Sequence, residues 1–136
     1  MTRGGTASLL AVMMLPFAAC SSPGPAAPLP TVQIVMYSGR PNPSFTLTRE
    51  QADALDACLK TGGSLPKGAV PDGLGFSFFD VMGLATAPLL VGVEGAWLDG
   101  GGEPTPVELC PTGYSILRAA AVAALGSEEG GAIPEA

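Results

Sequence analysis

Between Thr31 and Thr48 the chain reads TVQIVMYSGRPNPSFTLT, and this stretch leaves the fewest conformations open. The run Val32-Gln33-Ile34-Val35-Met36-Tyr37 is rich in β-branched and aromatic residues, which suits a pleated, buried strand. Val32, Ile34 and Met36 alternate with Gln33, Val35 and Tyr37, so neither face is fully polar and an inner strand is expected. Ser38-Gly39 ends it, since glycine permits the positive φ of a sharp exit. In Arg40-Pro41-Asn42-Pro43 each proline fixes its own φ and pushes the preceding residue toward extended geometry. That loop is stiff and cannot become a helix. Ser44-Phe45-Thr46-Leu47 is a short extended return, with Phe45 and Leu47 available to pack on the core.

Thr48 then opens a helix, and Gln51 three residues later completes a capping box. Ala52, Leu55, Cys58 and Leu59 recur at helical spacing as the buried stripe, while Glu50, Asp53 and Asp56 form a solvated face. Gly62-Gly63 stops the helix. Leu74 to Leu84, with Phe76, Phe78, Phe79 and Val81, reads as a second strand. Leu89 to Leu98 reads as a third, with Leu89, Val91, Val93 and Trp97 on its core face. The two are expected to pair as an antiparallel hairpin. Asp99 to Glu103 is an acidic glycine loop, too poor in oxygen ligands for a calcium cage, and Pro104-Thr105-Pro106 is extended. Pro111 suits the first turn of a last helix that packs through Ile116, Leu117, Ala120, Ala121, Ala124 and Leu125. The fold expected is α+β, a small and mostly antiparallel sheet in β-α-β-β-α order with two helices on one face. Residues 31–125 make this domain, and residues 126–136 are expected to be a disordered acidic tail.

The N-terminus carries Arg3, the apolar run Leu9 to Leu15, and Ala18-Ala19 before Cys20. This reads as an export signal over residues 1–19, whose apolar stretch from Ala7 to Ala19 is too short to span a bilayer. The arrangement resembles the lipobox of bacterial lipoproteins, with Phe17 where an aliphatic residue is usual. The resemblance implies that Cys20 is lipidated with diacylglyceryl and that its new amino group takes a further acyl chain such as palmitate. Several chains would anchor the protein firmly in the membrane. The competing reading is an ordinary secretory signal followed by an incidental cysteine. Ser21 after the cysteine implies, by the same resemblance, forwarding to the outer membrane in a Gram-negative cell envelope. Residues 20–30 continue as a proline-rich spacer. The pattern SGRPNP followed by an aromatic and Leu-Thr is similar to a motif of small uncharacterised bacterial envelope or secreted proteins, and no function comes with it.

Composition narrows the functions. The chain has 12 acidic and 6 basic residues, a net charge of -6 and no basic cluster, which argues against nucleic-acid binding. It has no histidine, which excludes histidine acid–base catalysis and histidine metal ligation. Of the three cysteines, Cys20 is the lipid acceptor and Cys58 and Cys110 remain as a pair. In an oxidising envelope they are expected to bond, against the rival of two buried thiols. Lys60-Thr61-Gly62 and Ser64-Leu65-Pro66-Lys67 match two short β-lactamase motifs, but in reversed order, adjoining, and with a proline inside the helical one. The match is rejected.

These readings make a lipid-anchored, extracytoplasmic interaction module without catalysis or cofactor the leading expectation, with an envelope protein as partner. The proline-bounded loop presents Arg40 and Asn42, which could bind a carboxylate or phosphate of a small anionic ligand. The plainer alternative pairs Arg40 with a carboxylate of its own domain and makes Asn42 a turn cap. An enzyme working through Asp72, Asp80 or Glu94 is the remaining class, without a recognisable constellation.

Overall fold

The computed structural model describes residues 27–136. The segment expected to be an export signal, Cys20 and most of the expected spacer lie outside the described residues. The elements run β1 (Thr31–Tyr37), β2 (Ser44–Thr46), α1 (Arg49–Thr61), β3 (Gly75–Met82), β4 (Leu89–Gly92), β5 (Gly95–Leu98), β6 (Thr105–Val107), α2 (Gly113–Leu125) and α3 (Ser127–Gly130). The strands form one sheet ordered β2-β1-β3-β4-β5-β6, each neighbouring pair antiparallel. The fold is α+β, with helices packed against the sheet, as the hydrophobic patterning implies.

β1 is an inner strand, between β2 and β3. Its even-numbered residues are bonded toward β2 and its odd-numbered ones toward β3, in a register that sets Val32 opposite Phe45 and Ile34 opposite Phe79. The register with β3 slips between Val35 and Met36, because Phe78 faces Val35 while Phe76 faces Met36. Ser77 is thus an extra residue, a β-bulge, and its buried hydroxyl donates to Gly73 O (3.3 Å). The bulge has a consequence for packing. It brings Phe76 and Phe79, three residues apart, to the same helix-covered face, where both rings meet Tyr114 of α2 at centroid distances of 6.1 and 5.6 Å.

The expected third strand is instead a hairpin. β4 and β5 pair Gly92 with Gly95 around a two-residue turn, Val93-Glu94. Leu89 and Val91 still face the helices, now opposite Leu98 and Ala96, but Trp97 pairs with Leu90 on the opposite face. Trp97 is buried there, 1% exposed, beneath the connection 62–74. Gly95 makes this possible on two grounds. Its φ of 138° disfavours a side chain, and a Cβ would stand 2.6 Å from Pro66 of that connection. At the far edge, Pro104 and Pro106 flank Thr105, so β6 offers few donors for further pairing.

The helix layer follows the sequence closely at its start. Thr48 accepts from the Gln51 N–H (3.1 Å) and Gln51 accepts from the Thr48 N–H (2.9 Å), a complete capping box. Ala52, Leu55 and Cys58 are buried against the sheet and α2. α2 begins at Gly113, after rather than at Pro111, and Thr112 supplies no side-chain cap. A disulfide joins Cys58 near the end of α1 to Cys110 before α2, 52 residues apart. Closing a loop of that length contributes on the order of 4 kcal/mol in the chain-entropy model.

The tail differs most from expectation. Residues 127–136 fold back along α2, starting with α3. Ile133 is 1% exposed within the core cluster. Tyr114 Oη donates to Pro134 O (2.7 Å), Arg118 Nε donates to Ile133 O (3.2 Å), and Arg118 pairs with Glu135 at 3.5 Å. Gly130 lets α3 lie tight on α2, since a Cβ there would be 2.6 Å from Val122 Cγ2. One isoleucine suffices as an anchor because the tail's carbonyls and Glu135 find side-chain partners, Tyr114 and Arg118, on α2. Burial in turn pushes the Tyr114 phenol up to about 12, against a smaller opposing pull from Arg118. Ile133→Ala should cost about 2–4 kcal/mol in urea denaturation, the range of a buried large-to-small change, whereas a frayed tail would show no loss.

Candidate functional site

The loop that links β1 to β2 is held by a substitution of side chain for backbone. The Ile34 N–H donates to Pro43 O (2.8 Å), continuing the ladder. The next outward donor, Met36 N–H, finds no carbonyl opposite it and is taken by Asn42 Oδ1 at 3.0 Å. Asn42 thus acts as one more rung between two prolines that cannot donate. That bond ties its oxygen into the turn. Asn42→Ala should lower stability by about 1–2 kcal/mol, the cost of leaving a part-buried N–H unpaired, and Asn42→Asp, which keeps the acceptor, should lose less in the same melt.

Arg40 is exposed and makes no ion pair within 4.0 Å among the described residues. It lines a crevice of about 310 Å³ between this loop and α3. Met36, Pro41 and Pro43 form the apolar side, and Glu128 and Glu129 of α3 stand on the other wall. Neither glutamate is ion-paired among the described residues. Pocket-sized concavities with an apolar floor and a few charged groups are the usual form of ligand sites. The two glutamates belong to the segment that composition assigned to a disordered tail, so the sequence reading missed this wall. Ile133, a lone large apolar residue after an acidic run, was the signal that could have found it. The crevice lies at the end of β1 away from Pro30. With seven residues in β1, the spacer's junction and the loop are roughly 20 Å apart at about 3.3 Å per residue.

The carboxylates considered for catalysis are not brought together. Asp72 is exposed in the connection before β3, Glu94 is at the β4–β5 turn, and Asp80 is mid-β3 between Gln33 and Leu90. Glu94 lies in the turn beyond Gly92, two strand steps or about 7 Å past Leu90, so it does not stand beside Asp80. Among the described residues no group of three or more histidine, cysteine or acidic side chains is placed to hold a metal ion. Cys58 and Cys110 are joined to each other, and Cys20 lies outside the described residues. A second crevice, about 440 Å³, runs between residues 68–70 and the proline edge beside Trp97, with Glu103 as its charged residue.

Asp80 is chemically unusual. Its Oδ1 is buried with no hydrogen-bond partner among the described residues, and burial first, then the charge of Asp99, raises its carboxyl above the ordinary 3.8. A carboxyl with a raised folded pKa binds protons on folding. Its favourable contribution is complete below about 3.8 and is lost as pH rises through the raised value, so ionised Asp80 costs stability at neutral pH. Asp80→Asn should therefore be more stable than wild type near pH 7, and urea melts should show the two converging as pH falls toward about 4. A pH-independent difference would contradict this origin.

Compared with protein-family models, curated proteins and solved structures, the chain matches none. Its class is accordingly given by its own architecture, a disulfide-tied six-stranded antiparallel sheet layered with helices.

Proposed function

We propose that the protein is a lipid-anchored, extracytoplasmic interaction module of the cell envelope, without catalysis, whose recognition surface is the loop Ser38–Pro43 together with α3. The observation that carries the reading is the crevice in which Arg40 stands without an ion-pair partner among the described residues, on a backbone stiffened by two prolines and by the Asn42 rung. A stiff loop loses little conformational freedom on binding, which favours its use for recognition. The export signal and lipobox-like Cys20 support the membrane anchor, and a disulfide between Cys58 and Cys110 suits an oxidising compartment. Pro30 and the recognition loop lie at opposite ends of β1, which supports a crevice held away from the anchored end.

A small anionic ligand is the weaker reading. The glutamates across the crevice repel a simple anion.

In-cell crosslinking and capture tests the proposal. Wild type should retain an envelope partner that Arg40→Ala loses, with both proteins melting alike. Equal capture by both would remove Arg40 from the interface. Cys20→Ser should move the protein from the membrane to the soluble fraction, and unchanged membrane recovery would refute the lipid anchor.

A further inference from the structure

We infer that the crevice takes a zwitterion on an aliphatic stem: a carboxylate held by Arg40 and an ammonium held by Glu128 and Glu129, with the stem along Met36, Pro41 and Pro43. The inference rests on the recognition surface proposed above and goes further, to the chemistry of its occupant. Three features of the crevice support it.

The first is charge. A guanidinium on one wall and two carboxylates on the other share one concavity of about 310 Å³, yet no N···O approach among them reaches 4.0 Å. Charges of opposite sign that line one concavity without being joined leave room for a ligand bearing both complements. A bare anion meets Glu128 and Glu129 as like charges, and a bare cation meets Arg40. Each monofunctional ligand gains one favourable contact and one unfavourable one, whereas a zwitterion gains two.

The second is the floor. Met36 is half-buried and flexible, and the two prolines present fixed apolar rings, so methylenes can be covered without displacing any polar partner. The third is rigidity. Arg40 sits between the β1 ladder and the Pro41–Pro43 pair, and α3 is fastened through Gly130 on Val122 and through Ile133 in the core. Both walls are therefore set before binding, which limits the ordering cost.

The same chemistry occurs in a free amino-acid-like molecule and in a polypeptide that ends in lysine. ε-Aminocaproate carries it in minimal form. The test is a titration of the isotope-labelled full-length chain with ε-aminocaproate, caproate and hexylamine, following backbone amides of residues 38–40 and 127–132. ε-Aminocaproate should shift both sets together, with caproate and hexylamine weaker by about tenfold or more. Arg40→Gln, and the double variant Glu128→Gln with Glu129→Gln, should each abolish the shifts while melting as wild type does.

Equal binding of caproate would make the crevice an anion site and overturn the proposal, as would no response to ε-aminocaproate. Shifts of the same amides on diluting the protein alone would mark a second copy as the occupant and also overturn it. A short peptide ending in lysine separates the two sources. Tighter binding than ε-aminocaproate, lost on amidation of its terminus, identifies a polypeptide end; weaker binding identifies a free zwitterion. If Arg40→Ala loses a captured partner while ε-aminocaproate does nothing, the zwitterion falls and the interaction module stands. If ε-aminocaproate binds and no partner is captured, the reverse holds.

Discussion

The structure depends on satisfying both edges of β1. An inner strand must place every N–H and C=O in a bond, because an unpaired group away from water costs as much as a lost hydrogen bond. On one side β3 meets this demand over nearly the whole strand, at the price of a bulge at Ser77. On the other side the return strand is only three residues long and is preceded by prolines, so Pro43 O and then Asn42 Oδ1 supply the remaining acceptors. The stiffness of the loop is a result of that arrangement. The same residues that complete the ladder set Arg40 at its outer end.

The helix layer answers a second demand, the covering of one sheet face. Val32, Ile34, Phe45, Phe79 and Val81 are closed over by α1 and α2, and the disulfide ties the two helices' neighbouring ends. The bulge adds Phe76 to this face, where it joins Phe79 and Tyr114. Tyr114 is also where the chain end is fastened, through its bond to Pro134. Core packing and the placement of α3 are therefore coupled, and the wall that carries Glu128 and Glu129 is fixed by the same aromatic cluster. Among the described residues no helix covers the opposite face, and the connection 62–74 buries Trp97 there instead.

Among the charges that the described residues leave unpaired, two places differ in kind. Asp80 is half-buried and lacks a donor at one oxygen, a cost that folding bears elsewhere. The crevice beside α3 holds Arg40 opposite two glutamates without closing the pairs. The first is a local destabilisation within a strand, whereas the second lies in an accessible concavity with an apolar floor. Only the second has the form of a recognition site.

Local sequence determined a large part of this protein. The inner strand, the proline-stiffened loop, the capping box at Thr48 and Gln51, and the stripe Ala52, Leu55 and Cys58 are each set by residues within a few positions of one another, where backbone geometry and periodicity act directly. The pairing of Cys58 with Cys110 was legible because the composition offered no other pair in the domain. The rest required tertiary structure. Leu89 to Leu98 alternates well enough for one strand, and Gly92 and Gly95 show a turn only once Pro66 and the Leu90–Trp97 pairing are in place. The bulge that turns Phe76 inward is a register choice between distant strands, invisible to alternation within β3. The acidic tail lacks the apolar content to fold alone, and it folds because the core and α2 offer Ile133 a seat and Arg118 and Tyr114 as partners. Sequence therefore fixed Arg40 on its loop, while the glutamates facing it were placed by long-range packing, which no local pattern encodes.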